Sequence, residues 1–110
     1  MSIRERVQTE VLSWDGVTSA PGRFGAVAFY LGKREIGHLH GDHLADVPFP
    51  RSVRDELVES GRAERHHVRP DTGWVSFRIG GEDDVARVVA LFRLSYERAR
   101  AAAERRAAGA

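Results

Sequence analysis

Cysteine is absent from the chain. That removes disulfides, thiolate nucleophiles and cysteine-ligated zinc together, and fits a reducing compartment. No excess of charge of one sign is present either: 17 lysines and arginines meet 16 acids, for a formal net charge of +1. A dedicated nucleic-acid binder usually carries a marked basic excess, so nucleic acid is not an expected partner. No apolar run approaches the roughly 18 residues of a membrane span. The opening MSIRERVQTE is charged where a secretory leader is apolar. A soluble, cytoplasmic protein with no membrane contact is therefore expected. Lysine is nearly missing: Lys33 is the only one, and the other basic residues are arginines. The length of 110 residues suits one domain, 1–110, and not two.

What is present reads as alternating hairpins and helices. Ile3, Val7 and Val11 recur four apart, which predicts a helix over 3–12 with Ser2 as its cap. Residues 16–22, rich in Gly, Thr, Ser and Pro, read as a loop. Strands are predicted over 24–31, 34–40 and 43–47, joined by the two-residue turns Gly32-Lys33 and Gly41-Asp42. Pro50 opens a second helix that Gly61 closes. Further strands are predicted over 63–68 and 74–79, around the turn Pro70-Asp71-Thr72-Gly73. Glu82, Asp83 and Asp84 then precede a helix carrying Val85, Val88, Val89, Phe92, Tyr96 and Ala99 at helical spacing. The alanine- and arginine-rich tail 100–110 extends that helix and frays. The order α-βββ-α-ββ-α without βαβ alternation gives an α+β two-layer sandwich on an antiparallel five-stranded sheet.

Histidine is the residue that stands out. His38, His40 and His43 fall within REIGHLHGDH, and His66 and His67 complete the five. Residues two apart on a strand share a face, so a two-residue turn at Gly41-Asp42 would put His38, His40 and His43 on one side of a hairpin. His38 would then lie opposite Ala45, and a one-residue slip would break the set. Three neutral imidazoles could hold a divalent metal, with His38, His40 and His43 as candidate ligands, or act as acids and bases near neutral pH. By the same parity Glu35 points away from His38, and His67 away from His66. Trp74, Ser76 and Arg78 share a face of the last strand and are candidate wall residues. No phosphate-binding glycine loop and no nucleophile elbow appears. The arginines 51, 54, 62, 65 and 69 alternate with acids as on a solvated helix face.

The run KREIGHLHGDH, the later ERHH, then GWVSFRI and EDDVARVVALFRLSYERA resemble the luciferase domain of fungal luciferases and of small bacterial proteins of unknown function. The resemblance covers about 22–99. It implies correspondence of Glu35, His38, His40 and His43 with the REIxHxH segment and its trailing histidine. It likewise implies correspondence of His66 with a later histidine and of Trp74 with a strand tryptophan. Fungal luciferases oxidise a hydroxylated 2-pyrone with molecular oxygen, without flavin or nicotinamide. The element order also resembles the YjbR-like fold, which implies that the fourth strand lies beside the second and brings His66 to His38 and His40.

Two expectations follow, from different classes. In the first, the chain oxidises a small enolic or phenolic, pyrone-like compound with oxygen as co-substrate. His38, His40 and His66 would be catalytic, and Glu35, His43, Trp74 and Arg78 would bind the substrate. In the second, it is a non-catalytic binding module for nucleic acid or a protein, with the arginines of 93–106 as its contact strip. An open sheet face would suit a homodimer.

Overall fold

The computed structural model describes residues 1–109. Helix α1 spans Ile3–Leu12, and a reciprocal capping box between Ser2 and Glu5 fixes its start. Strands β1 (Val17–Pro21), β2 (Val27–Leu31), β3 (Arg34–His40) and β4 (Leu44–Val47) follow as a meander. Helix α2 (Arg51–Glu59) precedes the short β5 (Glu64–Arg65) and then β6 (Val75–Arg78). Helix α3 (Val85–Gly109) closes the chain and continues through the alanine-rich residues 100–109. The fold is α+β, with one antiparallel sheet in the order β1, β2, β3, β4, β6, β5.

The sheet has six strands where the sequence predicts five. The segment read as a loop is β1, an edge strand paired to β2 from Val17↔Leu31 to Pro21↔Val27. Four of its five residues are exposed, so its composition carries no burial pattern to find. The edge position also tolerates the proline. The strand expected over 24–31 starts only at Val27, because Phe24 takes φ 57° in a short turn and stands exposed. The strand order differs too. β5 is not beside β3 but at the far edge, paired to β6 alone, and only two residues of the expected 63–68 are extended.

One face of the sheet is the core. Phe29, Ile36, Leu39, Ala45, Val47 and Val75 are buried there, with Val88, Phe92 and Tyr96 of α3 and Val7 and Val11 of α1 in the same cluster. Phe29 and Phe92 meet edge to face, ring centroids 5.4 Å apart. Among the described residues no helix is long and apolar enough to cross a membrane.

Candidate functional site

Two irregularities of β3 and its hairpin decide what reaches the opposite face. The first is a bulge. Phe29 pairs with Gly37 and Tyr30 with Glu35, so Ile36 is an extra residue in β3. Ile36 and Leu39, three apart, are both fully buried, which ordinary alternation forbids. Gly37 makes the bulge possible: its φ is 145°, and a Cβ there would lie 2.5 Å from the Phe92 ring. The inserted residue flips parity, so Glu35 shares the face of His38 rather than opposing it. Glu35 Oε2 lies 2.7 Å from His38 Nδ1.

The second is the turn. Gly41, Asp42 and His43 all belong to it, and the pairs are His38↔Asp46, Leu39↔Ala45 and His40↔Leu44. The hairpin is thus one residue out of the expected register. His43 sits exposed in the turn and leaves the cluster. Asp46 takes the place expected for Ala45, opposite His38, and is 1% exposed.

The loop after β5 brings the remaining histidines. Arg54, buried on α2, donates from Nη1 to the Thr72 carbonyl at 2.8 Å, and Arg65 Nη1 to the Pro70 carbonyl at 3.0 Å. Arg54 is therefore a buried anchor and not part of a solvated face. Gly73 packs so tightly on the Phe49 carbonyl that no Cβ fits. The His67 amide donates to Ser76 Oγ at 3.2 Å, and Ser76 Oγ donates to Asp46 Oδ1 at 2.6 Å. Strand parity ends at Arg65, so both His66 and His67 turn toward Asp46.

Four imidazoles converge on one carboxylate oxygen. From Asp46 Oδ2, the Nε2 atoms of His38, His40, His67 and His66 lie at 3.1, 3.2, 3.3 and 3.6 Å. The Trp74 ring stands 5.3 Å from that of His38 and 6.2 Å from that of His66. Arg78 shares the sheet face but is exposed, with Nε 3.7 Å from Glu64 Oε1. The structure thus gathers His38, His40, His66, Glu35 and Trp74 and leaves out His43 and Arg78. Asp46 and His67 are the members that sequence reasoning missed. An acid inside the otherwise apolar LADV strand was the available signal, because a buried charge requires partners.

The hydrogen bonds set the proton positions. Burial opposes charge on His38, but its hydrogen bonds to Asp46 and Glu35 outweigh that and raise its pKa from 6.5 to about 9. Burial likewise opposes charge on Asp46. The hydrogen bonds from His38 and Ser76, with the nearby histidine charges, still hold its carboxyl well below the ordinary range. His66 differs: burial lowers its pKa. Its Nδ1 accepts from the amides of Val68 and Arg69 at 3.2 and 3.0 Å, so the ring hydrogen is on Nε2. The donor atoms of His38, His40 and Asp46 lie within 4.8 Å of one another, a spacing that could hold a metal ion, and those of Asp46, His66 and His67 share that spacing. A separate groove of about 830 Å³ between α1 and α3, bordered by Arg6, Trp14, Val89 and Arg93, contains none of the histidines.

A family model described as Luciferase domain matches residues 33–95, more than half of the chain. The match contains His38, His40, Asp46, His66, His67 and Trp74. No curated protein and no solved structure matches.

Proposed function

The chain belongs to the luciferase domain family, and on that premise we propose that its histidine face binds a small enolic or phenolic compound, pyrone-like in character, and oxidises it with molecular oxygen. The observation that carries this reading is the convergence of four imidazole Nε2 atoms on the buried Asp46 carboxylate, beside an indole. An enol or phenol must lose its hydroxyl proton before its ring carbon can react with oxygen, and the resulting oxyanion needs hydrogen-bond donors.

The cluster has groups suited to each task. His67 has a half-exposed ring whose Nδ1 has no hydrogen-bond partner among the described residues, and it takes the proton. His66 offers a fixed Nε2–H, because its Nδ1 already accepts two amides, and it holds the oxyanion. Trp74 gives a planar ring an aromatic wall. A dioxygenation, with both atoms of oxygen ending in the product and the substrate supplying all four electrons, balances without an external reductant. His38, His40 and Asp46 beside them suit a divalent metal ion, which would polarise the bound hydroxyl.

The test is oxygen uptake in an electrode cell with a panel of hydroxylated 2-pyrones and catechols. One oxygen consumed per substrate is expected, with His67→Ala slower by about 10²–10⁴-fold, the usual range for losing a general base. No uptake with any member, together with no perturbation of the His67 ring resonances on adding them, overturns the proposal.

A further inference from the structure

We infer that His38, His40 and Asp46 form a two-histidine, one-carboxylate site for a divalent transition-metal ion, and that His66 and His67 face its open positions without ligating it. The site is crowded. A carboxylate oxygen has about two lone-pair sites, yet four ring nitrogens point at Asp46 Oδ2. Hydrogen bonding alone cannot satisfy all of them, whereas a cation placed among them binds several at once.

The geometry selects which residues bind. His38 and His40 are two apart on one strand, and the three-residue turn sets Asp46 directly across from His38. Their Nε2 atoms lie 3.1 and 3.2 Å from Oδ2. Bonds of about 2.0–2.2 Å from a metal to nitrogen and oxygen make ligand–ligand edges of about 3 Å, so two edges of the polyhedron already have their length. The outer partners are in place as well. Glu35 holds His38 Nδ1 at 2.7 Å and Ser76 holds Asp46 Oδ1 at 2.6 Å, so Nε2 and Oδ2 are left facing inward. All three ligands stand on adjacent paired strands, which hold them more rigidly than a loop does.

His66 is excluded by its tautomer. With Nδ1 accepting the Val68 and Arg69 amides, Nε2 carries the hydrogen, and freeing it for a metal would break both bonds, whereas His38 can release its Nε2 proton and keep Nδ1–H on Glu35. His67 belongs to the loop-borne grouping on the other side of Asp46, with His66 and not with His38 or His40. Imidazole ligands disfavour calcium and magnesium, and the absence of thiolate disfavours copper(I) and iron–sulfur chemistry. Two histidines and a carboxylate with open positions is the donor set of non-haem iron(II) sites that handle oxygen. The assignment of iron(II) rests on the oxidation reading; the binding of a divalent transition metal does not.

The experiment uses untagged full-length protein, stripped with a chelator and titrated anaerobically with cobalt(II) as a spectroscopic probe. One equivalent is expected. His38→Ala, His40→Ala and Asp46→Asn should each weaken binding by more than the roughly 10–100-fold expected of Glu35→Gln, which removes only an outer partner. His66→Ala and His67→Ala should bind cobalt as the parent does. Circular dichroism confirms folding, and His40→Ala, at a partly exposed ring, carries the test should Asp46→Asn fail to fold. Binding well below one equivalent, or equal losses for His66→Ala and His38→Ala, overturns the inference. Stoichiometric cobalt with no oxygen uptake on any compound removes the oxidation reading and leaves the metal site standing. Undiminished uptake by the stripped protein overturns the iron(II) assignment and leaves the oxidation reading, while the cobalt titration alone decides the metal site.

Discussion

Replacing Gly37 by alanine tests whether the β3 bulge builds the site. Two costs arise from different sources. The backbone there, at φ 145°, lies where residues with a side chain are strained by about 1–3 kcal/mol. The new methyl would also stand 2.5 Å from Phe92 Cε1 and 3.1 Å from the Asp46 carbonyl oxygen. Opening a packed core for it costs about 1–3 kcal/mol more. The sum, about 2–6 kcal/mol, is a large fraction of the roughly 5–15 kcal/mol that holds a small domain together. Gly32→Ala is the control, since its φ is 62° and nothing lies within 4 Å of the added carbon. It carries the backbone cost alone, about 1–2 kcal/mol. Urea unfolding of both variants measures the difference, with the slope against denaturant unchanged. A Gly37→Ala variant no less stable than Gly32→Ala would show that neither the backbone at Gly37 nor its contact with Phe92 demands glycine. Relief of the strain by removing the bulge would turn Glu35 away from His38, so the His38 ring resonances should move in Gly37→Ala and not in Gly32→Ala.

Ser76→Ala removes the 2.6 Å bond to Asp46 Oδ1 and the acceptor of the His67 amide. A loss of about 1–3 kcal/mol in thermal or urea unfolding is expected, with faster amide exchange at His67. Tyr96→Phe removes the 2.7 Å bond from the buried hydroxyl to the Asp15 carbonyl, and about 0.5–1.5 kcal/mol should go with it. The pH profile of chelator-treated protein follows from His38. Its pKa is raised from 6.5 to about 9, so its stabilisation is complete below the lower value and lost as pH rises through the upper one. Asp46, depressed from 3.8, adds stability that is present above that value and lost as pH falls through its lowered pKa. Urea midpoints should therefore fall between about pH 6 and about pH 10, and a His38→Ala variant should lack most of that fall.

The helices and half of the histidine face are legible in the amino-acid sequence. The four-residue spacing of Val7 and Val11, and the run Val88, Phe92, Tyr96, Ala99, mark α1 and the core face of α3, because burial on a helix is periodic. His38 and His40 sharing a face needs only strand alternation between them. Three features of the site escape, each for a local reason. The turn takes His43 as a third residue, and a single added residue exchanges Ala45 for Asp46. The bulge at Ile36 reverses the parity of Glu35, and the only trace of it in the sequence is a glycine inside a strand. His67 arrives by a loop whose path is set by Arg54, Gly73 and Ser76, contacts that no local spacing around ERHHV announces. β1 lies at an edge with four of its five residues exposed, so it leaves no alternating apolar pattern.

Four ring nitrogens meeting one buried carboxylate oxygen define the site, and the protonation of each ring can be read directly. Long-range proton–nitrogen correlation of ¹⁵N-labelled, chelator-treated protein near neutral pH makes that measurement. His38 is expected with both nitrogens protonated, and His66 with hydrogen on Nε2 and an accepting Nδ1. Asp46→Asn should shift His38, His40, His66 and His67 together while His43 stays unchanged. Four histidines that titrate independently and do not respond to Asp46→Asn would contradict their convergence on Asp46.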